Sequence, residues 1–166
     1  MLKASLGQIL VADYDGVYVI KMVGDVRLTL CVPFDQYIET LFNKNDFRTI
    51  LFDLSESEGL DSTTLGLIAK IAVKSEAIKS IQPLIICDRS DIVKLLSSMA
   101  IDTVCDIIDK PPQDYCTTTG FSGLEACDTE ECFVKERVLE AHCVLMGLNE
   151  TNKKTFTDLV QTLNSH

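Results

Sequence analysis

The chain has 166 residues, 46% hydrophobic and 24% charged, with 25 acids against 15 Lys and Arg and a formal net charge of -10. That length holds one domain with a real core, with room for an appendage. The acidic balance argues against a nucleic-acid binder, because phosphate backbones are gripped by clustered Lys and Arg, and no apolar run approaches the ~20 residues that span a bilayer.

The opening MLKASLGQILVADYDG carries one Lys, a short apolar patch and acids from Asp13 onward, which is a poor secretory leader. Seven Cys stand at 31, 87, 105, 116, 127, 132 and 143. The number is odd, and three lie inside apolar runs where a free thiol acts as a small core residue. The expectation is a reducing compartment, hence the cytoplasm.

GQILVADYDGVYVIKMVGD predicts two strands joined at Asp15-Gly16, a strong hairpin signal between β-rich runs. Pro33 opens a helix in which Phe34, Tyr37, Ile38, Leu41 and Phe42 recur at helical spacing. TILFDL (49–54) is short and continuously apolar, as a strand covered on both faces should be. STTLGLIAKIAVKSEAIKS predicts a helix of about five turns. LIIC after Pro83 is a further buried strand, Asp88 to Ser90 offer caps for a short helix over SDIVKLLSSMA, and DTVCDII is a last strand. Strands alternating with such helices predict an α/β fold with a mixed, mostly parallel sheet behind an N-terminal hairpin.

At Asp109 the pattern stops. Residues 109–136 hold Pro-Pro, two Gly and seven acids against two Lys, which reads as an acidic linker or irregular cap in water. Beyond Cys132 helix returns: Leu139, His142, Met146, Asn149, Lys153, Phe156, Val160 and Leu163 alternate spacings of three and four. This is one long amphipathic helix or two broken near Gly147 to Glu150. The helices are expected to pack on their own domain, with a homodimer through them as the alternative, since polar groups in an apolar seam specify register.

The stretch SESEGLDSTTLG (55–66) lies at a strand-to-helix crossover on the carboxyl edge of the sheet, where sites of open α/β sheets tend to form. Asp61 or Ser62 suits a helix cap, yet one carboxylate followed by Ser62, Thr63 and Thr64 is more than a cap requires. The helix behind it is also apolar on too many sides. Leu65, Ile68, Ala69 and Ala72 make one stripe, and Leu67, Ile71 and Ile78 extend it, so the helix is either covered twice or offers apolar surface to a partner.

LFDLSESEGLDSTTLG resembles the central motif of STAS domains, the fold of bacterial anti-sigma factor antagonists, and VGDVRL (23–28) resembles the turn that ends that family's opening hairpin. The resemblance covers about residues 7 to 108. It implies a STAS domain over 1–108, an acidic linker over 109–133 and a C-terminal helical extension over 134–166. It further implies a phosphorylatable hydroxyl at Ser62, flanked by Asp61, Thr63 and Thr64. A serine protein kinase that doubles as anti-sigma factor would add the phosphate, and a PP2C-type phosphatase would remove it. Thr64 stands where the family has Gly. Glu58, Asp61, Ser62, Thr63, Leu67 and Ile71 are the residues expected to meet the partner.

The physics of such a switch does not depend on the resemblance. A phosphoserine carries about -1.5 to -2 charges and sits well at a helix N-terminus, but beside Asp61, Glu58 and Glu56 it repels acidic groups. The expected output is loss of a protein contact without unfolding.

Rival readings rest on less. The two His, 142 and 166, and the absence of a Gly-x-Ser-x-Gly elbow leave little for catalysis. Zinc on Cys116, Cys127, Cys132 and His142 or Cys143 would need a second close pair. No phosphate-binding Gly loop supports a nucleotide site or any other cofactor. A transporter's cytosolic STAS domain is disfavoured by the lack of membrane segments. A nucleotide-responsive or structural interaction domain without a phosphoswitch is the remaining alternative.

Overall fold

The computed structural model describes residues 6–44, 46–113, 115, 120–126 and 130–165. The hairpin forms as expected between β1 (Gln8–Tyr14) and β2 (Val17–Val26). Asp15 and Gly16 both take positive φ, 56° and 89°, the pair of left-handed residues whose twist matches a two-residue hairpin. Asp13 Oδ1 accepts from the Gly16 N–H at 2.9 Å and braces the turn.

A single 3-10 turn (Leu28–Leu30) leads into α1 (Cys31–Lys44), followed by β3 (Thr49–Leu60), α2 (Ser62–Lys79), β4 (Leu84–Ile86), α3 (Ser90–Ser98) and β5 (Asp106–Ile108). The sheet order is β5-β4-β3-β2-β1-β6, with β2 to β5 parallel and β1 antiparallel to its neighbours. The fold is therefore α/β around a six-stranded mixed sheet. Each crossover from β2 to β5 steps the same way along the sheet, so right-handed connections place α1, α2 and α3 on one face. The main core lies there, built from Ile20, Phe34, Ile38, Phe52, Leu65 and Ile68 among others.

Among the described residues the opposite face carries no helix. Val19, Leu51 and Ile86 are buried instead beneath Tyr115 and Phe121, which belong to the stretch read as a linker or irregular cap. That stretch also contributes an edge strand, β6 (Ser122–Gly123), paired with β1. Two residues of strand with no apolar alternation leave no sequence signal. An apolar cavity of about 410 Å3 remains between Val17, Leu51, Leu84, Pro112 and Tyr115.

The C-terminal run is two helices, α4 (Glu131–Met146) and α5 (Glu150–Asn164). Asn149 decides the break: its side chain accepts from the Asn152 N–H and caps α5. Both helices pack on the domain. Asn152 donates to the Met99 and Leu145 carbonyls, at 2.8 and 2.9 Å, and ties the hairpin to the end of α3.

Two local expectations are corrected. The third strand does not end at Leu54 but runs to Leu60, because Ser57 occupies an inward position and satisfies its hydroxyl on the Met22 carbonyl at 2.8 Å. A hydroxyl thus stands where an apolar residue would have announced the strand. The short third helix is not capped by Asp88 or Ser90: Arg89 holds the N-cap position without a side-chain cap, and its guanidinium reaches the Ser57 carbonyl and Asp91 instead. Among the described residues no helix is long and apolar enough to cross a membrane.

Candidate functional site at the start of α2

Only Asp61 separates the end of β3 from the first residue of α2. Its carboxylate is spent on structure. Oδ1 accepts from the Thr64 N–H at 2.9 Å and the Thr64 hydroxyl at 2.8 Å, while Oδ2 accepts from the Leu28 N–H at 2.7 Å. One side chain therefore caps α2 and also satisfies the start of the 3-10 turn that leads to α1. Thr64 is fully buried, and its hydroxyl answers the cap.

Ser62 is the hydroxyl left for something else. It is half-buried, and its Oγ lies 2.7 Å from His142 Nε2 on α4, across 80 residues of sequence. The other ring nitrogen, Nδ1, lies 2.6 Å from the Val138 carbonyl, which can only accept. Nδ1 therefore carries the hydrogen, and in the neutral ring Nε2 takes the Ser62 hydroxyl hydrogen. His142 is 2% exposed and stands edge-on to Phe156 of α5, with ring centroids 4.9 Å apart.

One turn along α2, Gly66 explains why α4 comes so near. A Cβ at this position would overlap the Ala141 carbonyl and come within 2.7 Å of the Ala141 Cβ. One turn further, Lys70 binds Asp35 of α1 at 2.7 Å and Glu140 of α4 at 2.5 Å. Arg137 joins the other Asp35 oxygen at 2.9 Å. Burial alone lowers the Lys70 ammonium, but hydrogen bonds to Asp35 and Glu140 outweigh it and hold the group above its ordinary value. The excess apolar character of α2 is thus absorbed by double coverage: sheet and α1 on one side, α4 on the other.

The expected site residues divide accordingly. Asp61, Ser62, Thr63 and Thr64 share the first turn, and Glu58 is exposed just before it on β3. Leu67 and Ile71, expected to meet a partner, are both 0% exposed and belong to the core. A helix packed from two sides has no free apolar stripe to offer. VGDVRL proves to be the end of β2 and the entry to the 3-10 turn, with Gly24 at φ 75° and a register shift between Gly24 and Asp25. The sequence offers His142 as a site residue only in the roles of zinc ligand or isolated base, and Gly66 not as a contact, because only the fold brings α4 onto α2.

Cys31, Cys87 and Cys105 are buried. Burial, and then the nearby Asp61 charge, push the Cys31 thiol up to about 11, and burial followed by Asp106 pushes Cys105 up to about 12. These thiols are packing groups rather than nucleophiles at neutral pH. Cys132 and Cys143 are exposed, whereas Cys116, Cys127 and His166 lie outside the described residues. Among the described residues no cluster of His, Cys, Asp and Glu could hold a metal. No protein-family model matches this chain, and no curated protein matches it significantly.

Proposed function

We propose that this chain is a STAS-like anti-sigma factor antagonist, a bacterial, cytoplasmic protein-binding module switched by phosphorylation of Ser62. The observation that carries the reading is the division of labour at the start of α2. Asp61 and Thr64 satisfy the helix end between them, while Ser62 keeps a half-buried hydroxyl at the carboxyl edge of the sheet. The order of strands and helices and the motif LFDLSESEGLDSTTLG support the same reading. In it, unmodified protein binds an anti-sigma factor that is also a serine kinase, and a PP2C-type phosphatase resets the modified form. Contact is made by the edge around Glu58, Asp61 and Ser62, not by Leu67 and Ile71.

The test is a pull-down from source cells with Ser62→Ala and Ser62→Glu as baits, together with ATP-dependent labelling of the wild type. A partner held by Ser62→Ala and lost by Ser62→Glu is the expected result. Equal capture by both baits, with no label on Ser62, sinks the switch.

The 2.7 Å Ser62–His142 hydrogen bond favours a second reading, a nucleophile with its base. Against it, the ring is oriented by a backbone carbonyl, and four cavities among the described residues are lined without Ser62 or His142. Covalent labelling of Ser62 by a fluorophosphonate, lost in His142→Ala, would favour this reading over the first.

A further inference from the structure

Three residues of α2, each one turn from the next, meet α4: Ser62 by a hydrogen bond, Gly66 by backbone contact and Lys70 by an ion pair. In the neutral ring the Ser62 contact has one workable polarity, because Nδ1 of His142 gives its hydrogen to Val138 and Nε2 receives. The hydroxyl hydrogen of Ser62 is thus what holds the start of α2 to α4.

The geometry points to the α4–α5 hairpin as the moving part of the switch, latched to α2 by the Ser62–His142 hydrogen bond and released when Ser62 is phosphorylated. This rests on the reading of Ser62 as a phosphate acceptor. In the transfer, the terminal phosphoryl of a nucleoside triphosphate forms a bond to Ser62 Oγ. The bond to its own bridging oxygen breaks, a nucleoside diphosphate leaves and the hydroxyl proton passes to solvent. Oγ becomes an ester oxygen with lone pairs only, set against Nε2 of the buried His142 ring. While the ring is neutral, two acceptors cannot share that contact.

Space works in the same direction as polarity. At Gly66 the two helices already stand closer than a Cβ allows, so the pair has no slack one turn away for a phosphoryl group. The added charge, about -2, also stands next to Asp61. His142 carries the displacement onward through its edge contact with Phe156, so α5 follows α4. The α2 strip that meets α4 carries Ser62, Gly66 and Lys70, which water accepts, beside apolar side chains that Ala141, Leu145 and Phe156 help to cover. Release therefore exposes part of the core while the sheet and α1 to α3 keep their own packing. In the unmodified protein the α2 edge and α4 form one continuous surface, and opening the hairpin destroys it, which is how a partner would be released.

The experiment uses the full chain with phosphoserine placed at position 62 during synthesis, so that no kinase is needed. Amide hydrogen exchange is followed by mass spectrometry beside the unmodified protein. Amides of α4 should exchange at least about tenfold faster in the phosphorylated chain, while those of β2 and β3 keep their protection. Ser62→Ala, which removes the hydrogen without adding bulk, should accelerate α4 by a smaller factor. Unchanged protection of α4 with phosphoserine overturns the latch, as does loss of protection throughout the sheet, which would be unfolding rather than release. Failure of the proposed function reads out elsewhere: a chain that opens on phosphorylation but shows no kinase labelling and no partner discrimination keeps the latch and loses the antagonist.

Discussion

Gly66 and Ala141 bring two helix backbones into direct contact, and a Cβ on Gly66 would overlap the Ala141 carbonyl. Glycine costs about 1 kcal/mol against alanine within a helix. Its position here is explained by what it permits: α4 lies close enough for Ser62 to reach His142 and for Lys70 to reach Glu140. Gly66→Ala should therefore destabilise the chain by about 1 to 3 kcal/mol despite the gain in helix propensity, since forced overpacking costs that much. Urea denaturation measures the loss, and amide exchange should place it mainly in α4 and α5. A stabilised variant would show that α4 does not rest on this position.

Lys70 and Asp35 form the charged centre of the same interface, with side chains 7% and 4% exposed. Lys70→Met leaves the buried Asp35 carboxylate with Arg137 as its remaining counter-charge, so it should cost about 1 to 3 kcal/mol. The pH dependence has a definite sign. The Lys70 ammonium is held above its ordinary 10.5, so its contribution is complete below pH 10.5 and fades as pH rises through the higher folded value. Cys31 adds an earlier decline: its thiol moves from 9.0 to about 11, so folding weakens as pH climbs from 9 toward 11. Denaturation midpoints of wild type and Lys70→Met should thus converge only above pH 10.5. A gap that closed at neutral pH would contradict the ion-pair account.

How much of this could be read in the sequence follows from where the signal sits. TILFDL, LIIC and the Asp15-Gly16 turn declare themselves locally, and the α/β order follows from them. The second half of β3 does not, because Ser57 fills an inward position with a hydroxyl. Ser62 was legible as the spare hydroxyl, since the excess over one cap can be counted. Its partner was not: His142 lies 80 residues away, and the surplus apolar character of α2 showed only that something covers it. The cover over the other sheet face was hidden for the same reason, since Tyr115 reaches Asp53 from a segment with no periodicity.

Asp61 satisfies two helix starts at once, and Thr64 returns a hydroxyl to it. Asp61→Ala should cost about 2 kcal/mol, the upper end for an N-cap, because the Leu28 N–H is lost as well. Thr64→Val keeps shape and removes the hydroxyl, at about 1 kcal/mol. Thr64→Gly, which places there the residue of the STAS motif that this stretch resembles, should destabilise by a similar amount, because it loses both the hydroxyl and the fixed backbone. Thermal melts of the three variants test the order. A Thr64→Gly chain as stable as the wild type would mean that the buried hydroxyl is not what selects threonine.

The two faces of the sheet make opposite demands on the segment after β5, and truncation separates them. A chain ending after Ala126 keeps Tyr115, whose hydroxyl donates to the buried Asp53 at 2.7 Å, and keeps Phe121 over the apolar face. It loses α4 and α5, and with them Ala141, Leu145 and Phe156 from the core, which uncovers Gly66, the Asp35–Lys70 pair and one apolar side of α2. That chain should fold, with a lower melting temperature. A chain ending after Lys110 loses Tyr115 and Phe121 too. It leaves the Asp53 carboxylate short of a donor and Val19, Leu51 and Ile86 open to water, and a flat apolar sheet face invites association. It should aggregate. Tyr115→Phe in the full chain isolates the polar part of the effect, at about 1 to 3 kcal/mol for an acceptor left unpaired. Light scattering and denaturation of the three proteins decide the matter. If the chain ending after Lys110 were a soluble, cooperatively folding monomer, the segment would be a linker after all.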